Sequence, residues 1–88
     1  MTGITKIQKE RKDHLTKHGY TAEHDDQYTK EELLDAALFC ITGDMSNAPV
    51  SWHDEFYRKV FRKCRVDQLA VAGALIAAEI DRLQRADA

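Results

Sequence analysis

The chain has 88 residues and a net charge of −2, from 13 basic and 15 acidic side chains. The length predicts a single domain over residues 1–88, and the near-neutral charge argues against a nucleic-acid-binding protein, which needs a basic surface. The two cysteines have no CxxC spacing, so neither a disulfide framework nor a zinc knuckle is indicated.

A first helix is predicted from Thr2 to His18, with Thr2 or Thr5 as its cap and Gly19 at its C-terminal end. Its apolar stripe is narrow, so we expect the helix to lie on the surface. His14 and His18 are four residues apart on one face, a spacing that can hold zinc. Because no third ligand is apparent, we interpret them as a surface pair.

Residues 20–28 read YTAEHDDQY and are predicted to form an acidic loop. A solvated linker has no need of an aromatic residue at each end, so we expect this loop to be packed down. One interpretation is a metal site in which Asp25 or Asp26 combines with Glu79 or Asp81. The simpler interpretation is that one aspartate braces the loop and the others meet basic residues.

A second helix is predicted to open with a capping box, in which Thr29 is the cap and Glu32 lies three residues later. Its apolar face runs to Ile41, and Gly43 is expected to end it. Residues 44–51 contain the only proline and small turn-forming residues, which predicts an irregular connection.

A short third helix is predicted next, with Ser51 or Asp54 as its cap. It combines aromatic side chains with a basic face, and aromatic and arginine residues are common anchors of binding surfaces. Trp52 is therefore a candidate contact, and Arg58, Arg62 and Arg65 are candidate anion contacts. The alternative is that the aromatic residues of this helix only close the core of a small domain.

The C-terminal part, residues 69–83, is predicted to be the central helix. It has no polar side chain from Leu69 to Ala78, and this run is shorter than the 18 to 20 apolar residues that cross a bilayer. Rows of alanine and glycine allow close approach of another helix, from this chain or from a second copy in a homodimer. We predict an all-α fold: a compact bundle of three to four helices with a long central C-terminal helix and a packed acidic loop.

Several motifs, taken together, resemble those of a known family. They are Glu10-Arg11, Gly19-Tyr20-Thr21, Glu23-His24-Asp25-Asp26, and the closing segment AGALIAAEIDRL at 72–83. The pattern resembles a family of small proteins encoded by bacteriophages and prophages, which carries no assigned activity. The resemblance implies a phage protein acting in the cytoplasm of a bacterial host, and residues 1–12 contain no apolar core of a secretory signal. The family commonly has a tryptophan-rich stretch and a Lys-Pro before its last helix, whereas Trp52 stands alone here and FRKCR replaces Lys-Pro.

The leading functional hypothesis is a non-catalytic protein that blocks a host protein or sequesters a nucleotide-like signal, with no membrane partner, cofactor or metal. The predicted binding residues are Tyr20, His24, Asp25, Asp26, Trp52, Arg58, Arg62 and Arg65. No nucleophile motif or glycine-rich phosphate loop is present, which disfavours covalent catalysis. Two alternatives remain open: a structural part of a larger assembly, and a metal-dependent nucleotide pyrophosphohydrolase. The hydrolase would use the acidic residues Glu31, Glu32, Asp35, Glu79 and Asp81.

Overall fold

The computed structural model describes residues 1–49 and 52–87, and within them the chain forms five α-helices and one 3-10 turn without a β-strand. The helices are α1 (Gly3–Thr16), α2 (Ala22–Asp26), α3 (Glu32–Thr42), α4 (Asp54–Arg62) and α5 (Arg65–Ala86), and the 3-10 turn is Met45–Asn47. The predicted all-α class and the long C-terminal helix are confirmed. Within the described ranges, none of the helices combines the length and the apolar character needed to cross a bilayer.

Helix α5 is 22 residues long and packs against α1 and α3, so it is the central helix of the bundle. Val71, Leu75 and Ala78 on its inner face are almost completely buried. The small residues of α5 let its neighbours come close. A Cβ added to Gly73 would lie 2.6 Å from Cδ1 of Ile7, so α1 crosses α5 at a point where only a glycine fits without movement. The alanine and glycine rows therefore pack against helices of the same chain.

The core between α3, α4 and α5 is closed by aromatic side chains. Phe39 is fully buried, and its ring meets Tyr57 edge-on at a centroid distance of 5.0 Å. The Tyr57 hydroxyl donates a hydrogen bond to the carbonyl oxygen of Pro49 at 2.5 Å, which satisfies a buried acceptor. Phe61, on the same helix as Tyr57, touches Phe39 with its ring but remains half exposed.

Two predicted helix ends are confirmed. The Thr2 hydroxyl accepts the backbone N–H of Thr5 at 3.2 Å and caps α1. Gly43 ends α3 with a left-handed φ of 71° and donates its N–H to the Phe39 carbonyl at 2.7 Å. Gly19 is also left-handed, but α1 is already capped at Lys17, so this glycine turns the chain rather than ending the helix.

The predicted Thr29 cap is wrong. Helix α3 begins at Glu32, and the residue before it, Glu31, is left-handed with φ 65° and makes no side-chain capping bond. The Glu32 carboxylate instead accepts the backbone N–H of Lys30 at 2.6 Å. This bond stabilises a turn over residues 29–31, and the turn takes the place of the first helical residues expected there.

Two other predictions need correction. The segment 20–28 is packed down as expected, but it contains α2, whose cap is Thr21, rather than being a loop throughout. Helix α4 follows His53, which makes no side-chain capping bond, so the Asp54 cap is wrong; the other candidate, Ser51, lies outside the described residues. Residues 63 and 64 are extended and separate α4 from α5.

Candidate ligand-binding site

A cleft of about 800 Å³ opens between α1, the segment around α2, and α4, with α5 at its base. Its lining residues come from all four of these parts of the chain. They are Glu10, His14, His18, Tyr20, His24, Gln27, Tyr28, Trp52, His53, Glu55, Phe56, Lys59, Val60, Arg62, Lys63 and Val71. The cleft is therefore rich in aromatic and imidazole rings and in lysine and arginine.

One wall of the cleft is a stack of rings. The imidazole of His24 lies parallel to the Tyr20 ring, with centroids 4.6 Å apart and planes 10° apart. The turn at Gly19 brings Tyr20 back over the end of α1, where its N–H donates to the His14 carbonyl at 2.8 Å. Thr21 then caps α2 by accepting the N–H of His24 at 3.3 Å. Local backbone bonds thus fix both rings of the stack.

The ring contacts continue across the cleft. Tyr28 meets His24 edge-on at 5.3 Å, and it meets Trp52 at 5.4 Å. Trp52 in turn meets Phe56 of α4 at 4.9 Å. These contacts link the acidic segment to α4 through side chains that are partly buried and partly open to the cleft.

Trp52 has a polar group without a partner. Its indole Nε1 is buried and has no hydrogen-bond acceptor among the residues that the structure describes. A buried donor left unpaired costs about 1–3 kcal/mol.

The opposite edge of the cleft is basic. Lys59 forms an ion pair with Glu55 at 3.5 Å. Arg62 and Lys63, one turn further along, make no ion pair within the described part of the chain. These two cations are available to an anion that enters beside the rings.

Asp25 supports the ring stack from behind. It is only 1% exposed, and its two oxygens have different partners. Oδ1 lies 3.1 Å from Nδ1 of His24, and Oδ2 lies 3.5 Å from Nη1 of Arg11. This carboxylate therefore acts on the cleft by orienting the His24 ring, since it does not line the cleft itself.

The other predicted site residues lie elsewhere. Asp26 faces away and binds Arg85 of α5 at 2.7 Å. Arg65 directs its guanidinium to the carbonyl oxygen of Cys40 at the end of α3, at 3.4 Å. Arg58 is exposed on α4 but is not part of the lining. The structure thus brings together four of the eight predicted residues in the cleft, namely Tyr20, His24, Trp52 and Arg62.

Sequence reasoning missed the part that His14 plays. It is 4% exposed, so its interpretation as a surface residue is wrong. Its ring lies 5.3 Å from Tyr20, which closes over the end of α1. Burial, reinforced by the neighbouring His18 and Arg11, lowers the pKa of His14 from 6.5 to about 4, so this imidazole is neutral at physiological pH.

The tyrosines of the cleft are also affected by burial, which raises the pKa of both Tyr20 and Tyr28 above the usual value. Their hydroxyls therefore stay protonated and can donate hydrogen bonds at physiological pH. The Tyr28 hydroxyl lies 3.5 Å from Nε2 of His24, at the limit of a hydrogen bond.

The acidic residues of α5 that were considered as metal ligands form ion pairs with arginines. Asp81 lies 3.4 Å from Arg11, and Glu79 is buried against Arg82. Within residues 1–49 and 52–87, no three histidine, cysteine or acidic side chains are grouped in a way that could hold an ion.

Comparison with family models, curated proteins and solved structures found no match to this chain. The resemblance to the phage and prophage family therefore stays a prediction from the sequence motifs.

Proposed function

We propose that the protein binds a nucleotide-like small molecule in this cleft and does not convert it. One observation carries the proposal: the Tyr20–His24 stack and Trp52 line the same cleft as Arg62 and Lys63, which form no ion pair with the described residues. A planar base offers a face to the rings, and a phosphate offers oxygens to the two cations.

The physical fit supports this class of ligand. Small-molecule sites commonly enclose about 300–1,000 Å³, and the cleft lies in that range at about 800 Å³. Stacking of a base on an aromatic side chain contributes about 1–3 kcal/mol, and charge-assisted bonds to phosphate are stronger than neutral ones.

Binding without turnover is favoured over hydrolysis because the nearby carboxylates are already engaged. Asp25 has a partner at each oxygen, and Asp26 is paired with Arg85. A hydrolase using magnesium would need several of these oxygens to be directed at one ion. No specific observation favours that alternative.

The biological context of the proposed function, a bacterial host cell, is inferred from the sequence motifs that resemble the phage and prophage family. If the protein acts in a phage-infected bacterium, holding a nucleotide-like signal would lower its free concentration. The other form of the hypothesis, in which a host protein is blocked, also stays a prediction.

The test is a titration of the intrinsic fluorescence of Trp52, the only tryptophan. The probes are AMP, ADP, 3′,5′-cyclic AMP, adenosine and inorganic phosphate. We expect the phosphorylated nucleosides to change the fluorescence with saturation, adenosine and phosphate to bind more weakly, and chromatography to recover the nucleotide unchanged.

Two arginines of α4 provide a matched pair of variants. Arg62 lines the cleft, whereas Arg58 lies one turn earlier and does not. Loss of a charged hydrogen bond costs about 1.5–3 kcal/mol, so Arg62→Ala should weaken nucleotide binding by about 10- to 100-fold, and Arg58→Ala should leave it within about twofold. Equal effects of the two variants, or no response to any probe, would overturn the proposal. Release of phosphate or pyrophosphate would overturn the non-catalytic part.

A further inference from the structure

Helix α5 presents an apolar stripe that stays about half exposed among the residues that the structure describes. Val66, Leu69, Ile76, Ile80 and Leu83 each remain 40 to 58% exposed. The steps between these positions are three, seven, four and three residues, which keeps them on one side of the helix. Gly73, within the seven-residue step, is not part of the stripe, because Ile7 of α1 packs against it.

A second exposed stripe adjoins the first. Leu34, Leu38 and Ile41 of α3 are 36 to 43% exposed and are spaced by four and three residues. Arg65 lies four residues before Leu69, on the stripe of α5, and reaches the carbonyl oxygen of Cys40 in α3. Because α3 packs along α5, we take the two stripes as one apolar surface.

The area of this surface is large for a chain of 88 residues. The exposed parts of its eight apolar side chains amount to roughly 600 Å², which is the upper end for patches on monomeric proteins. Two copies meeting through it would bury roughly 1,200 Å², the lower end for a stable specific interface.

We infer that this surface binds a second copy of the chain, in an antiparallel pair of α5 helices related by a two-fold axis. The charges at the two ends of the stripe argue for this occupant. Arg65 begins α5, and Asp87 follows it 22 residues later, on nearly the same face of the helix. When the axis passes through Ile76, each Arg65 meets the partner's Asp87 and each Leu69 meets the partner's Leu83.

The arrangement is self-complementary, as a two-fold interface must be. Charged residues stand at the two ends of the stripe, and the exposed side chains at its centre are apolar. The proposed cleft is not involved, because its base, Val71, lies about 140° around α5 from Ile76 at 100° per residue. Dimerisation and ligand binding can therefore be tested separately.

The first experiment is sedimentation equilibrium of the full chain between about 1 and 200 µM. We expect a monomer–dimer equilibrium in this range. Ile76→Glu places two carboxylates together at the axis and should weaken the dimer at least tenfold. Ile76→Leu should keep it. Circular dichroism should show the same helix content for both variants, because position 76 is exposed in the single chain.

The register has its own test. Arg65→Glu and Asp87→Arg should each weaken the dimer, and the double variant should recover it, because the charges then face each other with exchanged signs. A monomer at every concentration would refute the interface, as would a dimer unaffected by Ile76→Glu. Failure of the double variant to recover the dimer would refute the antiparallel register.

Discussion

The buried histidine of α1 should make this protein lose stability well above the pH at which carboxylates titrate. His14 is 4% exposed and has a pKa of about 4 in the folded chain, against an ordinary value of 6.5. The unfolded chain therefore takes up this proton first as the pH falls. A folded pKa below the unfolded value means that the stabilisation is complete above pH 6.5 and is lost as the pH falls towards 4.

The size of the effect follows from the two pKa values. Their difference corresponds to about 3 kcal/mol in the free energy of unfolding, at about 1.4 kcal/mol for each pH unit. A domain of this length has a total stability of about 5–10 kcal/mol, so the change is large. About two thirds of this change in the free energy of unfolding should occur between pH 6.5 and pH 4.5.

The measurement is urea unfolding followed by circular dichroism at half-unit steps from pH 7.5 to pH 4.5. This range stays above the acid transition of Asp44 and Asp67, whose hydrogen bonds hold the pKa of each carboxyl below 3.8. Those two residues stabilise the fold above about pH 4 and lose that contribution only below it.

The control variants are His14→Gln and His53→Gln. The second histidine is exposed at the mouth of the cleft, so its replacement should leave the pH dependence in place. Replacing His14 should flatten the curve between pH 6.5 and 4.5, whatever it does to the stability at pH 7.5. A flat curve for the unmodified chain, or an equally steep curve for His14→Gln, would refute the reasoning.

Two further substitutions test the packing. Gly73→Ala should lower the unfolding free energy, because overpacking at Ile7 costs about 1–3 kcal/mol and outweighs the gain of about 1 kcal/mol in helix propensity. Adding Ile7→Ala to this variant should remove the penalty. A Gly73→Ala variant that is more stable than the unmodified chain would contradict the close approach of α1 to α5. Phe39→Ala should cost about 3–5 kcal/mol in urea unfolding, since it empties the centre of the core, and a loss below 1 kcal/mol would show that the ring is not central.

The elements that the sequence predicted well depend on local signals. The long apolar run of α5, the cap of α1 by Thr2 and the end of α3 at Gly43 each rest on a few neighbouring residues. Propensity, capping and the left-handed preference of glycine act within one or two turns of helix, so they can be recognised without knowing the fold.

The start of α3 shows where local signals fail. Thr29 and Glu32 have the spacing of a capping box, but Tyr28 is held by ring contacts with His24 and Trp52. Tyr28 and Trp52 are 24 positions apart in the chain, and their contact holds the backbone in place before the turn at Glu31. A long-range contact therefore decides where the helix begins.

The site has the same explanation. The ring-bearing residues and the basic helix could be singled out one by one, but their convergence depends on how α1, α2 and α4 pack together. Arg58 and Arg62 look equivalent in the sequence, and only the packing places Arg62 in the lining. His14 looked like a surface residue because α1 is mostly polar, and it is buried because Tyr20 folds back over it.

The carboxylates that suggested a metal site are better understood as parts of the scaffold of the cleft. Arg11 lies between Asp25 and Asp81, so one guanidinium joins α1 to α2 and α5. A divalent ion at Asp25 would have to displace this guanidinium, His24, or both, from a carboxylate that is 1% exposed. Breaking a buried pair leaves an uncompensated charge and costs several kcal/mol. The same pairing holds His24 parallel to Tyr20, so the acidic segment shapes the cleft through the position of a ring.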